Sequence, residues 1–299
     1  PAGAPRGFGY LVPPEANAHA GGPLALGAIF ASELFPDRAP RGARSFACFL
    51  PAAWADQRSD DEIVQVYANA ITPRTRLLMV CHMINITGHV LPVKKICDMA
   101  HARGVPVMVD GAHAFAQLDF RIPDLGCDFY GASLHKWLGT PLGAGMLYVR
   151  RDAIEKLWPL YGDEGQPATS IAKLNHTGTH PVHTDLAIDD AINFHEEIGI
   201  QRKEARLRWL QQYWTTKVRG VPRVRLFTPS DPARTGAIAN VGIDGMKPGD
   251  LAAALMDRFK IFTVAIDTAG VTGVRVTPQL FTTTAELDAF IRAITQLAA

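Results

Sequence analysis

Two charged residues stand where an α/β protein places its chemistry. Asp110 closes the apolar run Val105–Asp110 (VPVMVD), and Lys136 follows the next apolar run, in Tyr130-Gly131-Ala132-Ser133-Leu134-His135-Lys136-Trp137. Open α/β sheets bind ligands outside the carboxyl ends of their strands. A buried carboxylate and a lysine facing one such pocket are what pyridoxal phosphate chemistry requires. The amine, partly desolvated, forms a Schiff base, and the carboxylate keeps the pyridine nitrogen protonated so that the ring takes up electrons. Taken alone, the pair also reads as a helix cap and a solvated surface lysine.

The elements that must position these residues follow from the pattern. Ser59-Asp60-Asp61-Glu62 is a capping box opening a helix to about Ala70. Arg76–His82 (RLLMVCH) is a strand-length apolar run, and Pro92 and Gly104 bracket a helix over VKKICDMAHAR. Val105–Asp110, Cys127–Gly131 and Gly145–Arg150 are further strands. Strands without alternation imply burial on both faces, and helices between them imply a mainly parallel sheet. Residues 46–160 therefore read as a large domain and 161–184 as a connection rich in Gly, Thr, His and Pro. Residues 185–299 read as a smaller α+β domain. It has a helical stretch over Asp185–Gly220 interrupted near Gly199, then strands at Ala237–Ile243, Ile261–Ile266 and Val274–Val276. A helix runs from Asp250 to about Lys260, and Thr283 and Glu286 are spaced as a second capping box.

Composition narrows the function classes. The 299 residues carry 30 Lys and Arg against 29 Asp and Glu, a net charge of +1, which argues against nucleic acid or an anionic membrane as the main partner. No apolar run approaches the roughly 18 residues of a membrane span. The four cysteines (Cys48, Cys81, Cys97, Cys127) show no CxxC spacing and read as reduced, mostly buried thiols, which points to the cytoplasm. His176, His180 and His183, in HTGTHPVH, invite a zinc-hydrolase reading, but no acidic or cysteine partner lies nearby, and no metal is expected.

The pair VDGAH (109–113) and SLHK (133–136), with Lys136 26 positions after Asp110, resembles the class V aminotransferase family of fold-type I pyridoxal phosphate enzymes, nearest its isopenicillin-N-epimerase-like group. The resemblance covers about residues 46–299. It implies the fold-type I large domain with a mainly parallel sheet plus a smaller C-terminal α+β domain. It implies that Lys136 forms the Schiff base and moves the Cα proton, that Asp110 pairs with the pyridinium nitrogen, and that His113 contacts the ring's phenolic oxygen. Ser133 and His135 would bond the phosphate. Asn85, in CHMINITG, would contact the cofactor and the substrate carboxylate, and Arg275, in GVRVTP, would clamp that carboxylate. Gly178-Thr179 matches an element whose threonine reaches the cofactor of the neighbouring subunit, so a homodimer acting on an amino acid is implied. By residue type alone, His113 also fits a buried histidine on a carbonyl, Asn85 a turn cap, Arg275 a strand-edge arginine and Ser133 a loop hydroxyl.

Three departures bear on function. Residues 261–280 contain no Cys, which disfavours a cysteine desulfurase. Gln279 stands where the family commonly has histidine. Residues 1–45 begin at Pro1, and 28 of them are Ala, Gly, Pro or Arg, with no clean period. This atypical N-terminal segment shows no phosphate-cradling loop and helix, so the family's N-terminal part is read as lacking. A truncated, catalytically defective remnant is the alternative expectation.

Overall fold

The computed structural model describes residues 58–159, 165–175, 178–179, 182–268 and 270–299, together with the backbone of three short strands nearer the N-terminus. Those strands, β1 (Gly9–Leu11), β2 (Gly27–Ile29) and β3 (Ala47–Phe49), pair antiparallel in that order. The rest of the segment expected to lack the phosphate cradle lies outside the described residues.

The first large element is helix α1 (Asp60–Ala70), and it starts where its capping box dictates. The Ser59 hydroxyl accepts from the Glu62 N–H, and the Glu62 carboxylate accepts from the Ser59 N–H. Strands β4 (Leu78–Cys81), β5 (Val107–Asp110), β6 (Phe129–Ser133) and β7 (Gly145–Val149) form one sheet in sequence order. The β4–β5 and β5–β6 pairs are parallel, and β7 returns antiparallel on β6. Helix α2 (Val93–His101) makes the crossover between the first two strands. It buries Val93, Ile96, Cys97 and Ala100, the spacing of one helical face, against Val80, Val107 and Val109.

Exposure in this sheet alternates, which corrects the expectation of burial on both faces. Val107 and Val109 are buried, but Met79 is 62% exposed and Leu147 49% exposed. The helices α1 and α2 cover one face only. An apolar run of strand length reads the same whether one face or both are covered.

The second sheet is antiparallel, in the order β10 (Val264–Thr268), β11 (Val271–Val276), β9 (Ala239–Ile243), β8 (Val224–Leu226). Helix α5 (Pro248–Phe259) links β9 to β10, and α6 (Thr284–Ala298) opens on the second capping box, at Thr283 and Glu286. Helices α3 (Val182–Ile198) and α4 (Ile200–Val218) adjoin at Gly199, and α3 begins inside the stretch read as connection. Leu210, Trp214, Val241, Leu255, Val274, Phe290 and Ile294 fill this core. A third buried cluster joins the two sheets. It brings Met83, Ala114, Leu118 and Trp137 against Leu207, Ala237 and Ile238. Cys97 and Cys127 are buried thiols, Cys81 is half-buried, and the Cys48 side chain lies outside the described residues. Among the described residues, no helix is long and apolar enough to cross a membrane.

Candidate active site

The parallel register sets the carboxyl ends of three strands side by side. Cys81 of β4 is opposite Asp110 of β5, and Asp110 is opposite Gly131 of β6. Asp110 is exposed, which corrects the expectation of a buried carboxylate. It is the last residue of its strand and opens onto the sheet end, where one carboxylate oxygen accepts from the Ala112 N–H at 3.0 Å. The chain then turns helically, with the Ala114 and Phe115 N–H groups on the Gly111 carbonyl. Gly111 must lack a side chain, because a Cβ there would stand 1.9–2.1 Å from the Tyr130 ring and hydroxyl. This close approach carries the turn back over β6.

That turn delivers His113 to Lys136. Lys136 Nζ stands 3.3 Å from His113 Nε2, and the Trp137 indole N–H donates to His113 Nδ1 at 3.3 Å. An indole N–H only donates, so His113 Nδ1 is the acceptor in that bond. Burial pulls the His113 pKa down to about 4, and the charges of Lys136 and Arg275 add to the shift. The imidazole is therefore uncharged at neutral pH. Ser133 ends β6, opposite Gly145, one residue from the turn that carries His135 and Lys136. His135 has a buried Nδ1 with no hydrogen-bond partner among the described residues.

The loop after β4 supplies the other side. Gly88, at φ +77°, donates to the Ile84 carbonyl, and its bare Cα lies so close to the Ile238 carbonyl that a Cβ would stand 1.9 Å from the oxygen. The loop thereby docks on the second sheet. Asn85 is exposed, and its carbonyl accepts from Arg275 Nη1 at 3.2 Å. Arg275 is half-buried, and burial pulls its pKa down from the usual guanidinium range. Among the described residues it has no carboxylate partner.

Of the residues singled out from the sequence, hydrogen bonds join Lys136 to His113 and Arg275 to Asn85. Thr179 is exposed ahead of α3, and no hydrogen bond joins it to these residues within the chain. His176 and His180 lie outside the described residues, and His183 is exposed in the first turn of α3. Among the described residues, no three metal-ligating side chains gather.

Three contributors carried no sequence signal of their own. Trp137 holds the His113 ring. Gln117, fully buried, donates to the His113 carbonyl at 2.6 Å and accepts from the Ala237 N–H at 2.5 Å. Cys81 donates its S–H to the Met83 carbonyl, and burial with the Asp110 charge beside it pushes the thiol up to about 12.

The donor set fits a phosphorylated pyridoxal. A lysine, an uncharged histidine and a strand-end carboxylate lie at one sheet end, His135 with its orphaned Nδ1 directly precedes the lysine, and the Arg275 charge acts on the histidine. Comparison with known proteins agrees. Over 253 residues the chain is 31% identical to isopenicillin N epimerase from Streptomyces clavuligerus, covering 79% of this chain and 64% of that protein. The apo structure of a cysteine desulfurase from Thermococcus onnurineus NA1 superposes with a TM-score of 0.71 at 21% identity, over 81% of this chain and 65% of that one. A C-DES mutant with glycine covalently linked to its PLP cofactor superposes at 0.67 and 22% identity, over 78% and 63% of the two chains. The chain thus spans a little under two thirds of the curated epimerase it matches. The aminotransferase class-V family model matches residues 54–293. With that match over most of its length, the chain belongs to the aminotransferase class-V family.

Proposed function

We propose that this chain is a pyridoxal phosphate enzyme acting on an amino acid through Lys136, of the epimerase or aminotransferase type. The observation that carries the reading is the Lys136–His113–Trp137 arrangement at the end of β6, beside Asp110. When bound, pyridoxal phosphate supplies an aldehyde that condenses with amines and a pyridinium ring that accepts electrons from the bond being broken.

The chain's own residues then divide the work. Lys136 would present its amine to the cofactor's aldehyde and would take and return the proton at the substrate Cα. Asp110 offers a carboxylate to the protonated ring nitrogen. His113, uncharged, would contact the ring's phenolic oxygen. Ser133 and His135 donate to the phosphate, for which the unpartnered His135 Nδ1 is ready. Asn85 and Arg275 meet the substrate α-carboxylate, and the planar guanidinium fork suits its two oxygens. Thr179 reaches the cofactor of a second copy in a homodimer, and the protein works in the cytoplasm.

A desulfurase needs a nucleophilic thiolate. Burial pushes the Cys97 and Cys127 thiols up to about 12 and about 11, and Cys81 is held as a donor to the Met83 carbonyl. These thiols favour the epimerase or aminotransferase reading.

The test is reconstitution of the chain with pyridoxal phosphate, borohydride reduction and peptide mapping. The label is expected on Lys136, and Lys136→Ala abolishes it. Absence of label on Lys136 in the unaltered chain would falsify the reading.

A further inference from the structure

Helix α4 buries a lysine that the chemistry above does not use. Lys203 is 0% exposed, and its Nζ donates to the Trp137 carbonyl at 2.5 Å. The same ammonium stands 3.1 Å from His195 Nδ1, on the preceding helix α3, and His195 Nε2 donates to the Leu138 carbonyl at 2.7 Å. Since Nε2 must carry the proton to donate, Nδ1 accepts from Lys203, so the imidazole is neutral and the three groups form one ordered chain. Among the described residues, Lys203 has no carboxylate partner. A buried ammonium without a counter-ion costs stability, and an apolar side chain of the same length fits such a site better.

What the lysine holds accounts for its presence. Trp137 and Leu138 directly follow Lys136, in the turn that opens the connection from β6 to β7, and neither carbonyl receives a backbone N–H among the described residues. Lys203 and His195 are the donors that fix both. The Trp137 indole in turn fixes the His113 ring, which meets Lys136. We propose that Lys203 and His195 are positioning residues for Lys136, clamping the turn behind it through the carbonyls of Trp137 and Leu138. The inference rests on the reading of Lys136 as the cofactor lysine for its consequence, and on geometry alone for the clamp.

The experiment uses the whole chain in two states. Without cofactor, selective 15N labelling of the five tryptophans reports the Trp137 indole N–H, assigned by Trp137→Phe. Lys203→Met is expected to move that resonance and leave the other indoles in place, while the denaturant midpoint is held or raised. With pyridoxal phosphate added, the rate of covalent attachment at Lys136 is expected to fall about tenfold or more, as small misplacements of reacting groups do. His195→Phe, which removes the Leu138 donor and the acceptor of Lys203 but leaves Lys203 on the Trp137 carbonyl, is expected to move the same indole resonance. If Lys203→Met loses the fold, His195→Phe alone decides.

An unmoved Trp137 indole in the folded variants overturns the clamp. A moved indole with an unchanged attachment rate overturns the link to Lys136. If the unaltered chain takes up no cofactor at all, the function reading fails separately, and the indole resonance still decides the clamp.

Discussion

Arg275 Nη1 donates to the Asn85 carbonyl across 3.2 Å, joining strand β11 to the loop after β4. One guanidinium N–H is thus spent on positioning, and on the proposed reading the remaining donors would meet a substrate carboxylate. Arg275→Lys keeps the charge but loses both the fork and the Asn85 contact. A charge-assisted hydrogen bond contributes about 1.5–3 kcal/mol, so kcat/KM for an amino acid is expected to drop roughly tenfold to a hundredfold. Cofactor uptake, followed by absorbance, is expected to stay as in the parent. Equal losses in both measurements would assign Arg275 to the scaffold instead.

Acid should weaken the fold through its buried histidines. Burial pulls His82 and His89 from the ordinary 6.5 down to about 4. Above about pH 6.5 both folded and unfolded chains carry them neutral, and they leave stability unchanged. As pH falls from there towards 4 the unfolded chain takes up protons that the folded chain refuses, so stability declines, by on the order of 1–2 kcal/mol per histidine at about pH 5. Among the described residues, neither ring nitrogen of His89 has a partner. His89→Leu is therefore expected to flatten the pH dependence of urea unfolding and to gain stability at the acid end. An unchanged slope between about pH 7.5 and 5 would rule this histidine out as a source.

Asp128 is a buried carboxylate that three elements share. It accepts from the Val107 N–H at 2.7 Å and His101 Nε2 at 2.8 Å, and pairs with Arg150 at 2.9 Å. With Asp128 removed, the groups left behind, His101 and Arg150, are part-exposed, so the cost is mainly that of the lost hydrogen bonds and the unpaired Val107 N–H, about 1–3 kcal/mol. Asp128→Ala is expected to lower the unfolding free energy by that order, and Asp128→Asn by less, since it keeps an acceptor for Val107. A fully stable Asp128→Ala chain would show that the pairing is not what holds α2 and β7 to the sheet.

At Gly111 the packing leaves no room for a methyl group. Gly111→Ala forces its Cβ into Tyr130 and is expected to destabilise by about 1–3 kcal/mol, the usual range for overpacking. Tyr130→Ala removes the obstructing ring, at its own cavity cost. The double variant should therefore lose less than the sum of the two single ones in denaturant titrations. Strict additivity would show that the two side chains do not meet.

Much of the frame was legible because it is local. The Ser59/Glu62 and Thr283/Glu286 boxes are four-residue signals, and both open helices where expected. Asp110 and Lys136 were legible as a spaced motif pair. Strand β8, Val-Arg-Leu, escaped because three residues with a central charge carry no period. The one-sided cover of β4 and β7 escaped because side-chain type does not say which face is covered. Gln117 bonds Ala237 from 120 residues away, and Lys203 bonds Trp137 from 66. Each looks like an ordinary solvated polar residue until the chain has folded around it.

Gln117 gives the two halves of the molecule a common fastening. With one amide it grips the carbonyl of His113 and the N–H of Ala237, the residue that leads into β9. Any swing of the second sheet therefore tugs on the histidine beside Lys136. One side chain thus couples the placing of the His113 ring to the placing of the second sheet, without itself joining the Lys136–His113 contact.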